Sequence, residues 1–190
     1  RLLPLDQPLD ESGSEIAGEM TFRPNKHFNV RSSLIWDPYS GNMNSGHIQT
    51  SYTTDGGSIF NLGYSYRRPL TTVDININNP QVTEEANISG YFPLGLNWSI
   101  FGAMNYSVEA NTSVEDMAGV EYDSCCLTFR LLHLRYYDNV NSNVPDFNNP
   151  NLEREHTTQI QIILKGMGGY GDRITKLMED MIRGFEDRDY

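Results

Sequence analysis

The sequence predicts an all-β fold: an antiparallel transmembrane β-barrel segment of about nine strands with a short C-terminal helical or irregular tail. Three features point there. Apolar and polar residues alternate in segment after segment, as they do on a strand with two different faces. Short turns alternate along the chain with longer polar connections, the asymmetry of outer-membrane barrels. The polar faces are built from Asn, Ser, Gln and Thr, with few of the Lys and Glu that coat soluble sheets.

In chain order, a first weakly alternating segment covers 15–23 and closes at the turn Pro24-Asn25-Lys26. Phe28, Val30, Leu34 and Trp36 then share one strand face against Asn29, Arg31, Ser33 and Asp37, with Ile35 out of step. A longer connection is expected over 38–44, a weaker strand over 45–54 and a tight turn at Asp55-Gly56-Gly57. Phe60, Leu62, Tyr64 and Tyr66 oppose Asn61, Gly63, Ser65 and Arg67, and a long polar loop is expected over 69–83. A weak strand over 84–92 leads to Pro93-Leu94-Gly95, read as a turn. Leu96, Trp98, Ile100, Met104 and Tyr106 then oppose Asn97, Ser99, Asn105 and Ser107. Weak strands over 113–122 and 126–137 flank Asp123-Ser124, with 109–112 short where the pattern calls for a long connection. After a loop over 138–155, Ile160, Ile162 and Leu164 alternate with Gln159, Gln161 and Lys165 in a last strand over 157–166. Beyond Gly171 the period changes. Ile174, Leu177, Met178, Met181, Ile182 and Phe185 recur at helical spacing between Asp172 and Gly184, which predicts an amphipathic helix over 173–183 covering the short-turn rim. The chain therefore divides into a barrel portion, 1–171, and an amphipathic tail, 172–190.

The net charge of −11 excludes nucleic acid as a partner, since phosphate binding calls for clustered Lys and Arg. No apolar run approaches the ~18 residues of a membrane helix, which leaves strands as the only means of crossing. Eleven Tyr and two Trp fit aromatic girdles at two membrane interfaces, and fit a soluble sandwich equally well. The opening Arg1-Leu2-Leu3-Pro4-Leu5, without Met or signal-peptide pattern, reads as the cut edge of a fragment or processed chain.

Few residues suggest chemistry. Asn87-Ile88-Ser89, Asn97-Trp98-Ser99, Asn105-Tyr106-Ser107 and Asn111-Thr112-Ser113 have the form of glycosylation acceptors. Residues i and i+2 share a strand face, however, so the first three continue a polar wall and the fourth lies at a loop. Asn61, Ser65, Arg67, Asn97, Ser99, Asn105 and Ser107 are accordingly read as facing a wet lumen. His27, His47, His133 and His156 lack metal-ligand spacing, no metal or cofactor is expected, and no nucleophile elbow, zinc-protease helix or phosphate loop is present. Nothing suggests an enzyme. Gly166-Met167-Gly168-Gly169-Tyr170-Gly171 is read as a flexible exit from the last strand. Cys125 and Cys126 are the two cysteines of the chain. Sequence neighbours rarely bond each other, because disulfide geometry would distort the backbone between them. They are either unreactive thiols or, in an oxidising compartment, partners of cysteines outside this chain.

Gly119-Val120-Glu121-Tyr122-Asp123-Ser124-Cys125-Cys126, followed by alternating Leu127, Phe129 and Leu131, resembles the vicinal-cysteine region of the LptD family of the bacterial outer membrane. Gln159-Ile160-Gln161-Ile162-Ile163-Leu164-Lys165-Gly166-Met167-Gly168 is similar to that family's final strand. Phe22-Arg23-Pro24-Asn25 and Trp36-Asp37-Pro38 match its strand-turn pattern, whereas Leu127 and the helical tail depart from it. The resemblance implies the C-terminal portion of a large barrel that inserts lipopolysaccharide into the outer leaflet. It implies partners too: an LptE-like lipoprotein plug, the remaining N-terminal part of the barrel with a periplasmic jellyroll, lipopolysaccharide itself and membrane lipid. It further implies disulfides from Cys125 and Cys126 to the absent N-terminal region, and a lateral gate at the last strand, with Thr158, Ile160, Ile162, Leu164 and Gly166. Another outer-membrane barrel (a porin or receptor) and a soluble glycan-binding sandwich are the alternatives.

Overall fold

A computed structural model describes residues 14–68, 83–137, 154–165 and 172–185. Nine strands form one sheet in simple sequence order: β1 (Ile16–Phe22), β2 (Phe28–Asp37), β3 (Asn42–Thr53), β4 (Ile59–Arg67), β5 (Thr83–Gly95), β6 (Trp98–Ser107), β7 (Thr112–Asp123), β8 (Leu127–Tyr137) and β9 (Arg154–Leu164). Every neighbouring pair is antiparallel. One helix follows, α1 (Asp172–Met181). The order is the meander expected from alternating strands joined by local turns.

Three connections differ from the expectation; one is the turn expected at Asp123-Ser124, which falls instead at Cys125-Cys126 because β7 pairs as far as Asp123 and β8 starts at Leu127. The supposed loop over 38–44 is a four-residue turn, 38–41, because Asn42 already pairs with Asp37 and the ladder resumes there. Gly41, at φ +69°, makes so tight a reversal possible. The turn expected at Pro93-Leu94-Gly95 lies further on. β5 runs to Gly95, and the reversal is made by Leu96 and Asn97, both left-handed at φ +51° and +68°. That conformation suits the right-handed twist of a two-residue hairpin. Asn97 therefore sits in a turn and not on the strand wall. Ile35, out of step in the sequence, simply lies on the other face, while Leu34 and Trp36 keep the apolar one; the register shift beside it leaves Asn44 of β3 as the extra residue and sets Met43 opposite Trp36. The loops expected over 69–83 and 138–155 and the glycine-rich exit lie largely or wholly outside the described residues.

The register sorts side chains onto two faces. Residues opposed across antiparallel strands share a face. One row thus runs Tyr52, Phe60, Gly90, Gly102, Ala118, His133, and the adjacent row on the other face runs Ser51, Asn61, Ser89, Ala103, Met117, Leu134. The second face carries the buried residues of the sheet, Ile59, Asn61, Ser89, Tyr91, Phe101 and Leu132 among them. α1 lies on it, with Ile174, Met178 and Ile182 at i, i+4, i+8 nearly or wholly inaccessible.

The contacts of α1 show how strongly the sheet curves. Thr175, near its start, bonds Gln161 of β9, and the carbonyl of Arg183, just past its end, accepts from Asn61 of β4. Those strands are five spacings apart, about 24 Å in a flat sheet. The helical rise between Thr175 and Arg183 is only about 12 Å. With side chains standing roughly perpendicular to the sheet, the strands must curl around the helix. The helix sits at the short-turn end, near Ile59, Tyr91, Ser99 and Thr128, inside the curve and not across its rim.

Candidate functional site

The open face is largely apolar, broken by His133, Thr158 and, towards the long-loop end, the Asp116–Arg135 ion pair. Leu62, Ile88, Ile100, Leu131, Ile160 and Ile162 stand on it, between 37% and 64% exposed. Its aromatics gather towards both strand ends: Phe22, Tyr52, Trp98 and Tyr122 at the short-turn end, Trp36, Tyr66 and Tyr106 at the other. Trp98 and Tyr122 pack with ring centroids 5.0 Å apart. Exposed apolar area on this scale is foreign to a soluble monomer. Among the described residues no helix is long and apolar enough to cross a membrane.

The covered face is mixed: polar residues stand beside an apolar cluster of Ile59, Tyr91, Phe101, Met117, Leu132 and Leu134, and α1 closes it at the short-turn end. Asn61 donates to Ser89 Oγ at 3.1 Å and to the Arg183 carbonyl at 3.0 Å, and is 1% exposed. Ser99 is buried beside the Tyr91 hydroxyl at 2.9 Å. Ser107 is buried and accepts from the Ala110 amide at 3.2 Å, bracing the β6–β7 turn. Ser65 and Asn105 are half-buried on the same face, and Arg67 stands exposed at the far end of β4. Of the expected polar-wall residues, Asn97 alone is displaced, into the exposed turn.

An ionic network that the residue-by-residue reading missed holds α1 to this face. Arg130 of β8 is 2% exposed. Its Nε donates to Glu121 Oε2 at 2.6 Å. Its Nη1 donates to Thr175 Oγ1 at 2.7 Å and to Gln161 Oε1 at 3.1 Å. The Tyr91 hydroxyl donates to the other Glu121 oxygen at 2.6 Å, and Gln161 Nε2 donates to Thr175 Oγ1 at 3.2 Å. Phe185, past the helix end, packs on Tyr91 and lies under the Arg130 guanidinium. Desolvating a charge pair is tolerable only when the surrounding donors and acceptors are matched this fully.

Cys125 and Cys126 are the turn itself, between β7 and β8. Ser124 bonds Leu127 through both backbone and hydroxyl, at 2.9 Å to its carbonyl, so the two cysteines are pushed out as the exposed tip. Both are free, with sulfurs 3.0 Å apart. The close contact with the Cys125 thiol raises the Cys126 pKa, with burial a smaller contribution and the Lys165 ammonium acting the other way. Lys165 is itself anchored by Asp123 at 2.8 Å, and its amide donates to the Cys126 carbonyl. The cysteine turn, the end of β9 and the helix thus meet at one end of the sheet.

β9 pairs with β8 over its whole length, from Leu127 opposite Leu164 to Tyr137 opposite Arg154. Thr158, Ile160, Ile162 and Leu164 lie on the open face and are exposed; the Thr158 hydroxyl bonds His133 Nδ1 at 3.0 Å. Gly166 lies outside the described residues. Among those residues the far edges of β1 and β9 pair with no other strand, and no group of His, Cys, Asp and Glu is arranged to hold a metal.

Residues 1–98 match the family described as LptD, LPS transport system D. The LPS-assembly protein LptD of Nitrosococcus oceani is 28% identical over 175 residues, 92% of this chain and 21% of that protein. The corresponding protein of Xanthomonas oryzae pv. oryzae is 27% identical over 95% of this chain and 20% of its own length. That of Legionella pneumophila is 31% identical over 82% and 18%. The chain spans about one fifth of the length of these relatives.

Proposed function

The chain belongs to the LptD family, and from that premise we propose that it is the C-terminal part of an outer-membrane barrel that inserts lipopolysaccharide into the outer leaflet. The observation that carries the reading is the unpartnered face of one nine-stranded sheet, where Leu62, Ile88, Ile100, Leu131, Ile160 and Ile162 stand open while the opposite face holds both the polar wall and the apolar seat of α1. In water a second apolar face would need its own cover. Here it has none among the described residues, as suits a face whose solvent is lipid. The polar wall of Ser65, Asn105 and their neighbours then lines a wet lumen for the saccharide, while acyl chains leave sideways. No bond is made or broken in such a transfer, so the chain is not an enzyme.

The two edges left unpaired among the described residues support the remainder. Backbone groups at the edge of a sheet in hydrocarbon must be satisfied, so β1 and β9 call for the rest of the barrel. β9, carrying Thr158, Ile160, Ile162 and Leu164 and followed in sequence by Gly166, is the strand whose outer edge would close against the first strand and part to release lipid. The exposed tip formed by Cys125 and Cys126 suits disulfides to the N-terminal region, and the free polar wall suits an LptE-like lipoprotein. The test is photo-crosslinking in cells. A photoreactive residue at Ser65 or Asn105 of the intact protein should capture lipopolysaccharide, and one at Ile88 should capture bulk lipid. Capture of lipopolysaccharide at neither interior position would refute the reading.

A further inference from the structure

We infer that Arg130 is a positioning residue for the last strand, and that through it α1 holds the short-turn half of β9 as a fixed post. The inference rests on reading β9 as the seam strand and goes beyond it, because it assigns which side of the seam is rigid. A strand at a seam that opens has one neighbour it keeps and one it leaves. β9 keeps β8, with pairs along its entire length. At the short-turn half the pairing is reinforced from the covered side. Gln161 is clasped between the Arg130 guanidinium at 3.1 Å and the Thr175 hydroxyl at 3.2 Å. Lys165 closes the end of the strand against Asp123 and Cys126.

Arg130 is the centre of this clasp. Its planar fork reaches Glu121 with one nitrogen and both Gln161 and Thr175 with another, tying β7, β9 and α1 to β8 at one atom group. α1 carries the load across the sheet, because its far end is bonded to Asn61 of β4. Met178 and Ile182, with no exposed surface, seat it between these two ends. A helix with both ends tied and its apolar face dry is a buttress, not a stopper that swings aside. Motion at the seam then belongs to the strand that pairs with the free edge of β9.

Hydrogen exchange on the intact protein, with its partners, in detergent tests this. In Arg130→Met the amides of 157–164 should exchange at least tenfold faster than in wild type, together with those of α1. Segment 45–66 and the mobility of the unheated folded barrel should stay unchanged, which a general loss of structure would not allow. Arg130→Lys keeps the charge against Glu121 but lacks the fork, and should fall in between. Loosening of α1 with 157–164 as protected as in wild type would overturn the proposal. If Arg130→Met yields no folded barrel, Gln161→Leu and Thr175→Val each remove one arm of the clasp. Each should speed exchange of 157–164 several-fold, and no change in either would overturn it. None of these readouts involves lipopolysaccharide, so failed capture at Ser65 and Asn105 would refute the transport reading and leave this one standing.

Discussion

Arginine placed at Leu62 and at Ser65, near neighbours on opposite faces of β4, separates a lipid-facing sheet from a soluble one. Leu62 is 52% exposed and lies next to the midpoint of its strand. In water, arginine at so open a position costs almost nothing. In a bilayer, the same residue near the midplane costs about 2–4 kcal/mol, a shift of roughly 30- to 1000-fold in the folding constant. Ser65 is half-buried on the polar face, opposite His47 and Glu85, and clear of α1. Arginine there keeps its head among polar groups and should cost under about 1 kcal/mol. Asn61 would seem the natural control, yet it is unsuitable. It is buried beneath the end of α1 with two hydrogen bonds, and arginine would clash there whatever solvent lies outside. The assay is the folded fraction of the intact protein in bilayers across a denaturant titration. Equal tolerance of Leu62→Arg and Ser65→Arg would refute the assignment of the open face to lipid.

Non-reducing gels of the intact protein should show a mobility shift on reduction that Cys125→Ser and Cys126→Ser each alter and the double replacement abolishes; an unchanged band would mean free thiols. In the reduced protein Cys126 should alkylate more slowly than an unstructured cysteine peptide near pH 8.5. Its pKa is raised, so it holds less thiolate at that pH and catches up as the pH rises; Cys125→Ser should remove most of the lag, as followed by mass spectrometry. Leu96 is left-handed and 93% exposed, so Leu96→Asn should stabilise the β5–β6 hairpin by about 1 kcal/mol, read as a shift of the denaturation midpoint.

How much of this was legible in the chain depended on how local the signal was. Alternation in Phe60–Arg67 names its two faces outright, because the strand period is two and one buried face pins the register. Turns were harder. The ladder through Asn42 to Ser45 hides in a stretch rich in Asn, Ser and Gly with loop composition, and alternation puts Asn97 on a wall because the chirality of a hairpin turn is invisible in residue pattern. The helix was legible from its period, but not where it docks. That depends on Arg130 finding Thr175 across 45 residues. A partial signal existed. With the reversal placed at Cys125-Cys126, a two-residue hairpin puts Glu121 opposite Arg130, an acid facing a base on the covered side. Phe101 gives no local signal for a related reason: it is an apolar residue on the covered face, and its partners on α1 are far away in sequence.

The central claim is that β9 closes a seam through which lipid leaves the barrel. A disulfide engineered between β9 and the first strand of the intact barrel addresses it directly. Locked, the protein should remain folded while newly made lipopolysaccharide fails to reach the cell surface, and reduction should restore delivery. Normal surface delivery through a demonstrably locked seam would contradict the account.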